Sequence, residues 1–251
     1  MQIFLDSADH RELEKWMAAG IVDGVTTNPS ILFKEGIADF EQGARRLARL
    51  LGEKPLSIEV ASDDPAEMLR QGRELAEWAE NVAVKIPITN SKGESCLGTI
   101  HALAEEGIRV NATAILSFNQ AILAAKAGAA YVSIFAGRIA DEGNEPAMVI
   151  RNVRTWLEEW EYSARIIVGS IRTVMDVQNA ALAGAHIITI PPQFLPKMLD
   201  HKYTRETVLQ FNRDAERAMA EMSEARAATA GASSAGAGLA AAGKAQGSNG
   251  R

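Results

Sequence analysis

The sequence predicts an α/β protein in which eight parallel strands alternate with helices and close into a single (β/α)8 barrel with an additional C-terminal helix. Short apolar runs and amphipathic segments alternate eight times over about 200 residues. The runs lack polar alternation, which is typical of strands covered on both faces. The main alternative is a doubly wound open sheet. That fold needs a glycine-rich turn after the first strand, and "LDSADH" contains no glycine.

Eight runs are short and rich in β-branched residues, as strands of a parallel sheet are. They are IFLD (3–6), GVTTN (24–28), LSIEV (56–60), VAVKIP (82–87), IRVNAT (108–113), YVSIFA (131–136), RIIVGS (165–170) and HIITI (186–190).

Helical patterns follow each run. They cover 10–20, 37–52, 64–80, 95–107, 117–128, 144–160, 173–184 and 193–199. Five of the eight end in a glycine, which suits a left-handed C-terminal cap. These glycines are Gly20, Gly52, Gly107, Gly128 and Gly184.

The chain divides into one domain and a tail. Residues 1–226 are predicted to form a single barrel domain that includes a C-terminal amphipathic helix over about 203–226. This helix lies outside the eight repeats, so we expect it to pack across the barrel or onto a neighbouring subunit of a homo-oligomer. Residues 227–251 are rich in Ala, Gly and Ser and predict a flexible tail, because they offer little apolar surface to bury.

Composition narrows the possible partners. The chain has 26 Lys and Arg against 32 Asp and Glu, a net charge of −6, which argues against nucleic acid or an anionic membrane as the main partner. Its single cysteine, Cys96, cannot form an internal disulfide. The N-terminus lacks the pattern of a signal peptide, and no run of 18 apolar residues occurs. We therefore expect a cytoplasmic protein.

In barrels of this kind the active site lies at the carboxyl ends of the strands. Polar residues occupy these ends, or the loops directly after them, in seven of the eight predicted strands. They are Asp6, Thr26, Asn28, Glu59, Lys85, Asn111, Thr113, Ser133, Arg138, Ser170 and Arg172.

Lys85 stands in the middle of the apolar stretch "NVAVKIPIT". Burial disfavours the charged form of an amine, and a neutral amine can attack a ketone to form an imine. The protonated imine is then an electron sink for cleavage of a carbon–carbon bond. The alternative is a lysine that reaches solvent or pairs with Glu59 or Asp6 for structural reasons.

Carboxylates and hydroxyls at the other strand ends fit the same chemistry. Asp6 can take the hydroxyl proton whose loss lets the bond break, or it can cap the following helix, although Ser7 and Asp9 are also good caps. Glu59 and Thr113 can hold a water between them and move protons. Asn28, Asn111 and Ser133 offer hydrogen bonds of the kind that hold sugar hydroxyls.

Two arginines follow the sixth and seventh strands. Arg138 and Arg172, with Ser170 at a strand-to-helix turn, make a suitable phosphate-binding group. Each arginine alone would more often be a solvated surface charge.

Several segments together resemble the transaldolase family, in particular its short members, which include the fructose-6-phosphate aldolases. They are FLDSAD, GVTTNPSIL, VAVKIPIT, VNATAILSFNQAILAAKAGAAYVSIFAGRIAD and VGSIRTVMDVQNAALAGAHIITIPP, and they run in the same order from residue 3 to about 200. The resemblance implies a TIM barrel and a Schiff-base mechanism, with the lysine on the fourth strand matching Lys85.

By the same resemblance, Asp6 matches the general base, and Glu59 and Thr113 match the pair that holds water. The expected substrate-binding set is Thr26, Asn28, Asn111, Ser133, Phe135, Arg138, Ser170 and Arg172. Members that act as free dihydroxyacetone aldolases resemble a pattern with Gln at position 59 and Tyr at 135. This chain instead has Glu59 and Phe135. Ile134 departs from the family, which commonly has proline there, and that departure bears on substrate specificity.

The sequence thus predicts a transaldolase that moves a dihydroxyacetone unit between sugar phosphates, without cofactor or metal. Two alternatives stay open. One is an aldolase that releases free dihydroxyacetone, and the other is a non-catalytic barrel that binds sugar phosphates.

Overall fold

A computed structural model describes residues 1–242 of the chain, with side chains through residue 229. It divides into two compact units, 1–198 and a C-terminal unit that begins at residue 199. Among the described residues, no helix combines the length and apolar composition needed to cross a bilayer.

The first unit is a closed barrel of eight parallel strands in sequence order, which confirms the predicted fold. The strands are β1 (Gln2–Asp6), β2 (Gly24–Thr26), β3 (Leu56–Glu59), β4 (Val82–Pro87), β5 (Val110–Ile115), β6 (Tyr131–Phe135), β7 (Arg165–Gly169) and β8 (Ile187–Ile190). β1 pairs with both β2 and β8, so the cylinder has no free edge.

Helices follow the strands on the outside of the cylinder. Through residue 199 they are α1 (His10–Ala18), α2 (Pro29–Lys34), α3 (Phe40–Leu51), α4 (Pro65–Ala76), α5 (Leu97–Glu105), α6 (Phe118–Lys126), α7 (Ala136–Asp141), α8 (Pro146–Glu159), α9 (Val174–Leu182) and, after a 3-10 turn at Pro192–Phe194, α10 (Leu195–Leu199). All five predicted cap glycines have positive φ, between 62° and 97°, in agreement with their expected role.

Two short helices, α2 and α7, were not predicted. Both are single six-residue segments between a strand and the longer helix of the same repeat. Such a segment is too short to display a helical period. In α2, Pro29 at the first turn and the Asn28 side chain, which accepts from the Ile31 amide at 2.8 Å, set the helix start. The predicted strand over 24–28 therefore ends at Thr26.

The fifth strand is displaced by two residues from the predicted 108–113. It runs from Val110 to Ile115 and contains a bulge between Ala112 and Ile115, where Ala114 has a φ of 58°. A bulge bends a strand and redirects the neighbouring side chains. The left-handed residue of this bulge, Ala114, directly follows Thr113.

Two apolar layers hold the barrel. The larger one lies between the strands and the helices. A smaller one fills the lower interior of the cylinder and consists of Phe4, Ala83, Tyr131, Ile167 and Ile187. The lower interior of the barrel is therefore a packed apolar core, and the polar side chains lie above this core. Ile134, the departure from the family pattern, is fully buried in the outer layer.

The second unit contains α11 (Lys202–Ala242). The predicted end of this helix is near residue 226, whereas the helix continues over residues 227–242. Alanine is abundant there and has the highest helix propensity, which accounts for the extension. The remainder of the predicted tail, 243–251, lies outside the described residues.

Candidate active site

Polar side chains replace apolar ones in the upper interior of the barrel. Strand residues point inward at every second position, so the residue two places after a member of the lower layer also faces the interior. The pairs are Phe4 and Asp6, Ala83 and Lys85, Tyr131 and Ser133, and Ile187 and Thr189. The period of two therefore carries predicted site residues on separate strands to one place.

Lys85 occupies the interior between the third and fifth strands. It pairs in register with Glu59 on one side and Asn111 on the other. Its side chain is 8% exposed, and its Nζ lies 2.9 Å from Glu59 Oε2. Nζ also donates a hydrogen bond of 2.9 Å to the carbonyl oxygen of Thr27. The buried amine is thus held by one carboxylate and one backbone acceptor.

Asp6 lies at the end of β1 with its carboxylate bound by a neighbouring hydroxyl. Thr26 Oγ1 donates to Asp6 Oδ1 at 2.7 Å. Burial raises the pKa of Asp6 above the ordinary value, the Thr26 hydroxyl and then Lys85 act to lower the pKa, and Glu59 adds to the rise. The alternative that Asp6 caps the next helix does not hold, because Asp9 accepts from the amides of Arg11 and Glu12 and is the N-cap.

A chain of neutral groups continues around the interior from Lys85. Ser133 Oγ donates to Asn111 Oδ1 at 2.6 Å, and Asn111 Nδ2 donates to Ser57 Oγ at 3.1 Å. All three residues are buried. These groups form an uncharged polar wall of the kind that suits sugar hydroxyls.

Thr113 differs from the other interior hydroxyls. Its Oγ1 is buried and has no hydrogen-bond partner among the described residues. Unpaired buried hydroxyls are rare because each one costs free energy. The hydroxyl therefore has capacity for a hydrogen bond to a molecule in the site. On the next strand, Phe135 is partly buried and pairs in register with Gly169.

A cavity of about 350 Å³ opens beside Asp6. Ser7, Ile31, Lys34 and Gln193 are among the residues around it. Asp6 is thus one of the residues that border a space large enough for a small molecule. The Asn28 side chain uses its oxygen to cap α2, which leaves its amide hydrogens as the group it can offer to a ligand.

The two predicted phosphate-binding arginines follow neighbouring strands, but they stand in different surroundings. Arg138 lies on α7 and is exposed. Arg172 is half-exposed, and its guanidinium binds both carboxylate oxygens of Asp141, at 2.5 and 2.6 Å. Ser170, between β7 and Arg172, has a φ of 59°, a conformation that non-glycine residues adopt mainly where the surroundings enforce it.

Gly137 brings these two loops together. Its amide donates to the carbonyl oxygen of Ser170 at 3.1 Å. A Cβ at this position would lie 2.2 Å from that oxygen, 2.8 Å from Arg172 Nε and 2.9 Å from Ser170 Oγ. Only glycine permits this close approach of the α7 backbone to Ser170 and Arg172.

We expect Gly137→Ala to lower the free energy of unfolding by about 2–3 kcal/mol, because a backbone oxygen must move to admit the methyl group. Gly98→Ala is the matched control. Gly98 lies in α5 with no atom within 4 Å of its Cβ position, so alanine there raises stability by about 0.5–1 kcal/mol. Urea unfolding of both variants measures the contrast, and equal stability of the two would contradict the close contact.

Four residues that complete the polar interior or its rim were not predicted from the sequence. They are Thr27, Ser57, Thr189 and Asp141. Ser57 and Thr189 lie in predicted strands at inward positions, so the strand period of two could have identified them. The role of the Thr27 carbonyl and the pairing of Asp141 with Arg172 depend on contacts between separate repeats, for which the sequence carries no local signal.

Fold and site together define a class of protein, namely a (β/α)8 barrel with a buried lysine paired to a carboxylate at the carboxyl ends of its strands. The fold recurs in unrelated enzymes. The solved structure of thiamine phosphate pyrophosphorylase from Pyrococcus furiosus matches with a TM-score of 0.51 at 12% identity, covering 76% of this chain and 85% of that one. That likeness concerns the fold alone.

The chain belongs to the transaldolase/fructose-6-phosphate aldolase family, whose model matches residues 3–237. It is 42% identical over 214 residues to a protein of Dehalococcoides mccartyi named "Probable transaldolase", covering 85% of this chain and 97% of that one. It is 41% identical over 216 residues to "Probable transaldolase 2" of Listeria monocytogenes, covering 86% and 96%. The family predicted from the sequence motifs is thereby confirmed.

Proposed function

We propose that the chain is a transaldolase that carries a dihydroxyacetone unit from a ketose phosphate to an aldose phosphate through a Schiff base on Lys85. The observation that carries the proposal is the position of Lys85 Nζ, buried in the upper barrel interior and 2.9 Å from a carboxylate oxygen of Glu59. The family and the relatives named "Probable transaldolase" support the reaction class.

The reaction begins with a proton transfer from Lys85 to Glu59 across this contact, which frees the amine lone pair. The amine attacks the C2 carbonyl of the ketose to give a carbinolamine. Glu59 returns the proton to the departing hydroxyl, and water leaves as the protonated imine forms. The unpaired Thr113 hydroxyl is suited to bind that water.

Asp6 then removes the proton of the C4 hydroxyl. The electrons of that O–H bond form the aldehyde, the C3–C4 bond breaks, and its electron pair flows into the imine to give an enamine on Lys85. Burial raises the pKa of Asp6, which makes the carboxylate a stronger base than an ordinary aspartate. The shortened aldose departs, an acceptor aldose enters, and the same steps run in reverse to release a new ketose.

The uncharged polar side chains and the arginines bind different parts of the substrate. Thr26, Asn28, Asn111 and Ser133 bind the hydroxyls of the donor, and Phe135 packs against the carbon chain. Arg138, Ser170 and Arg172 bind the phosphate, for which Arg172 must exchange its contacts with Asp141. Phosphate competes well there, since the ion pair is half-exposed and weakened by solvent.

The second candidate is an aldolase that releases free dihydroxyacetone. Phe135 favours transfer over release, since it has no hydroxyl with which to place the water that hydrolyses the three-carbon adduct. Glu59 in place of glutamine supports the same preference.

The deciding experiment supplies sedoheptulose 7-phosphate with and without glyceraldehyde 3-phosphate and measures fructose 6-phosphate and free dihydroxyacetone. If the protein is a transaldolase, fructose 6-phosphate forms only in the sample that contains glyceraldehyde 3-phosphate. The sample without this acceptor then contains little free dihydroxyacetone. Equal release of dihydroxyacetone in both samples would assign the aldolase instead. Without turnover, and without a borohydride-reducible adduct on Lys85, the chain would be a non-catalytic sugar-phosphate-binding barrel.

We also infer a homo-oligomer in the cytoplasm. On α11, Phe211, Met219 and Met222 are each at least 64% exposed. Apolar side chains of this size favour burial against another surface. Light scattering of the purified chain measures the mass in solution, and a monomer at micromolar concentration would contradict the inference.

A further inference from the structure

Three side chains from neighbouring strands form a hydrogen-bonded chain that ends on the proposed base. Thr189 Oγ1 of β8 lies 2.6 Å from Thr26 Oγ1 of β2, and Thr26 Oγ1 lies 2.7 Å from Asp6 Oδ1 of β1. Thr189 and Thr26 are 6% and 3% exposed. β1 lies between the other two strands, so this series of hydrogen bonds crosses the upper interior of the barrel above β1.

The direction of the hydrogen bonds follows from proton count. An ionised carboxylate only accepts, so the single hydroxyl proton of Thr26 goes to Asp6. The oxygen of Thr26 is then the acceptor toward Thr189, and the Thr189 hydroxyl is the donor. Each donor in such a series polarises the next bond, so Thr189 strengthens the bond that Thr26 gives to Asp6.

We propose that Thr189 is a positioning residue for the transfer reaction, acting through Thr26 to hold the Asp6 carboxylate in place and in its ionised form. The inference rests on the proposed role of Asp6 as the base. Thr189 itself touches neither substrate nor the reacting lysine in this scheme.

Other charged groups act on Asp6, but not through this series of hydrogen bonds. Glu59 and Lys85 face it from β3 and β4. The cavity beside Asp6 is also bordered by Asp9, Glu12, Lys15, Lys34 and Glu35. A neutral substitution at Thr189 leaves all of these groups unchanged, so an effect on the acid side of the rate profile reports on the hydrogen-bonded chain.

The test compares Thr189→Val, Thr189→Ala and Thr189→Ser by the pH dependence of kcat/KM for a ketose phosphate donor with an aldose acceptor. Valine and alanine lack the donor hydroxyl, and alanine keeps the test open if the added methyl of valine disturbs folding. For both we expect the acid limb to move to higher pH by about 0.5 unit and the plateau to fall by about three- to tenfold, the scale of one weakened hydrogen bond. Serine restores the hydroxyl and returns the wild-type profile.

Borohydride trapping on Lys85 separates this inference from the proposed function. We expect all three variants to form the reduced adduct as wild type does, because imine formation does not need Asp6. A wild-type profile in Thr189→Val and Thr189→Ala, or a serine variant that behaves like alanine, would overturn the role of Thr189 alone. A wild-type protein that neither turns over nor forms the adduct would overturn the proposed function itself.

Discussion

Replacing Lys85 with methionine abolishes the Schiff-base adduct and lowers kcat by roughly a thousandfold or more. The amine is the nucleophile and, as the imine, the electron sink in the proposed mechanism, and among the residues that the structure describes no other buried lysine can take both roles. Methionine has a similar length and fills the same apolar surroundings. The measurement is borohydride reduction in the presence of fructose 6-phosphate with peptide mapping, alongside steady-state rates.

The same substitution also removes a partner from Glu59, whose side chain is 28% exposed. A partly buried carboxylate without its partner is destabilising, so Lys85→Met alone loses stability. The double variant Lys85→Met, Glu59→Gln is the matched control, since it removes the unpaired charge and we expect it to regain stability but no activity. Full activity in either variant would show that the lysine serves only as a structural ion-pair partner.

Replacing Asp6 with asparagine slows bond cleavage while leaving adduct formation intact. Asparagine keeps the shape and the oxygen that accepts from Thr26, but it cannot take a proton. Loss of a general base costs about 10²- to 10⁴-fold in rate. We therefore expect borohydride to trap the donor on Lys85 at the wild-type level, whereas single-turnover release of the aldose fragment falls by that factor.

The pH profile checks the same assignment. The reaction needs the ionised carboxylate, and burial raises the pKa of Asp6, so wild-type kcat/KM falls as pH drops through a value above that of an ordinary aspartate. The asparagine variant lacks this acid limb. If Asp6→Asn also fails to form the adduct, Asp6 acts before cleavage and the order of steps proposed above is wrong.

Much of the barrel follows from local patterns in the sequence. Eight apolar runs and five cap glycines predict the repeats, and the position of Lys85 and Asp6 at strand ends predicts that they belong to the active site. Short segments without a full helical period, such as α2 and α7, lie beyond such an analysis. The bulge at Ala114 is similar, because it arises from pairing with the next strand.

The sequence by itself determined the eight-stranded barrel, the family and the set of polar residues at the strand ends. Only the tertiary structure decided how these residues pair: Lys85 with Glu59 and the Thr27 carbonyl, Thr189 with Thr26, and Arg172 with Asp141. The physical reason is the distance along the sequence over which each kind of interaction acts. Hydrophobic period and capping act within a few residues, whereas each of these contacts joins separate strand–helix repeats, and its distance depends on how the cylinder closes.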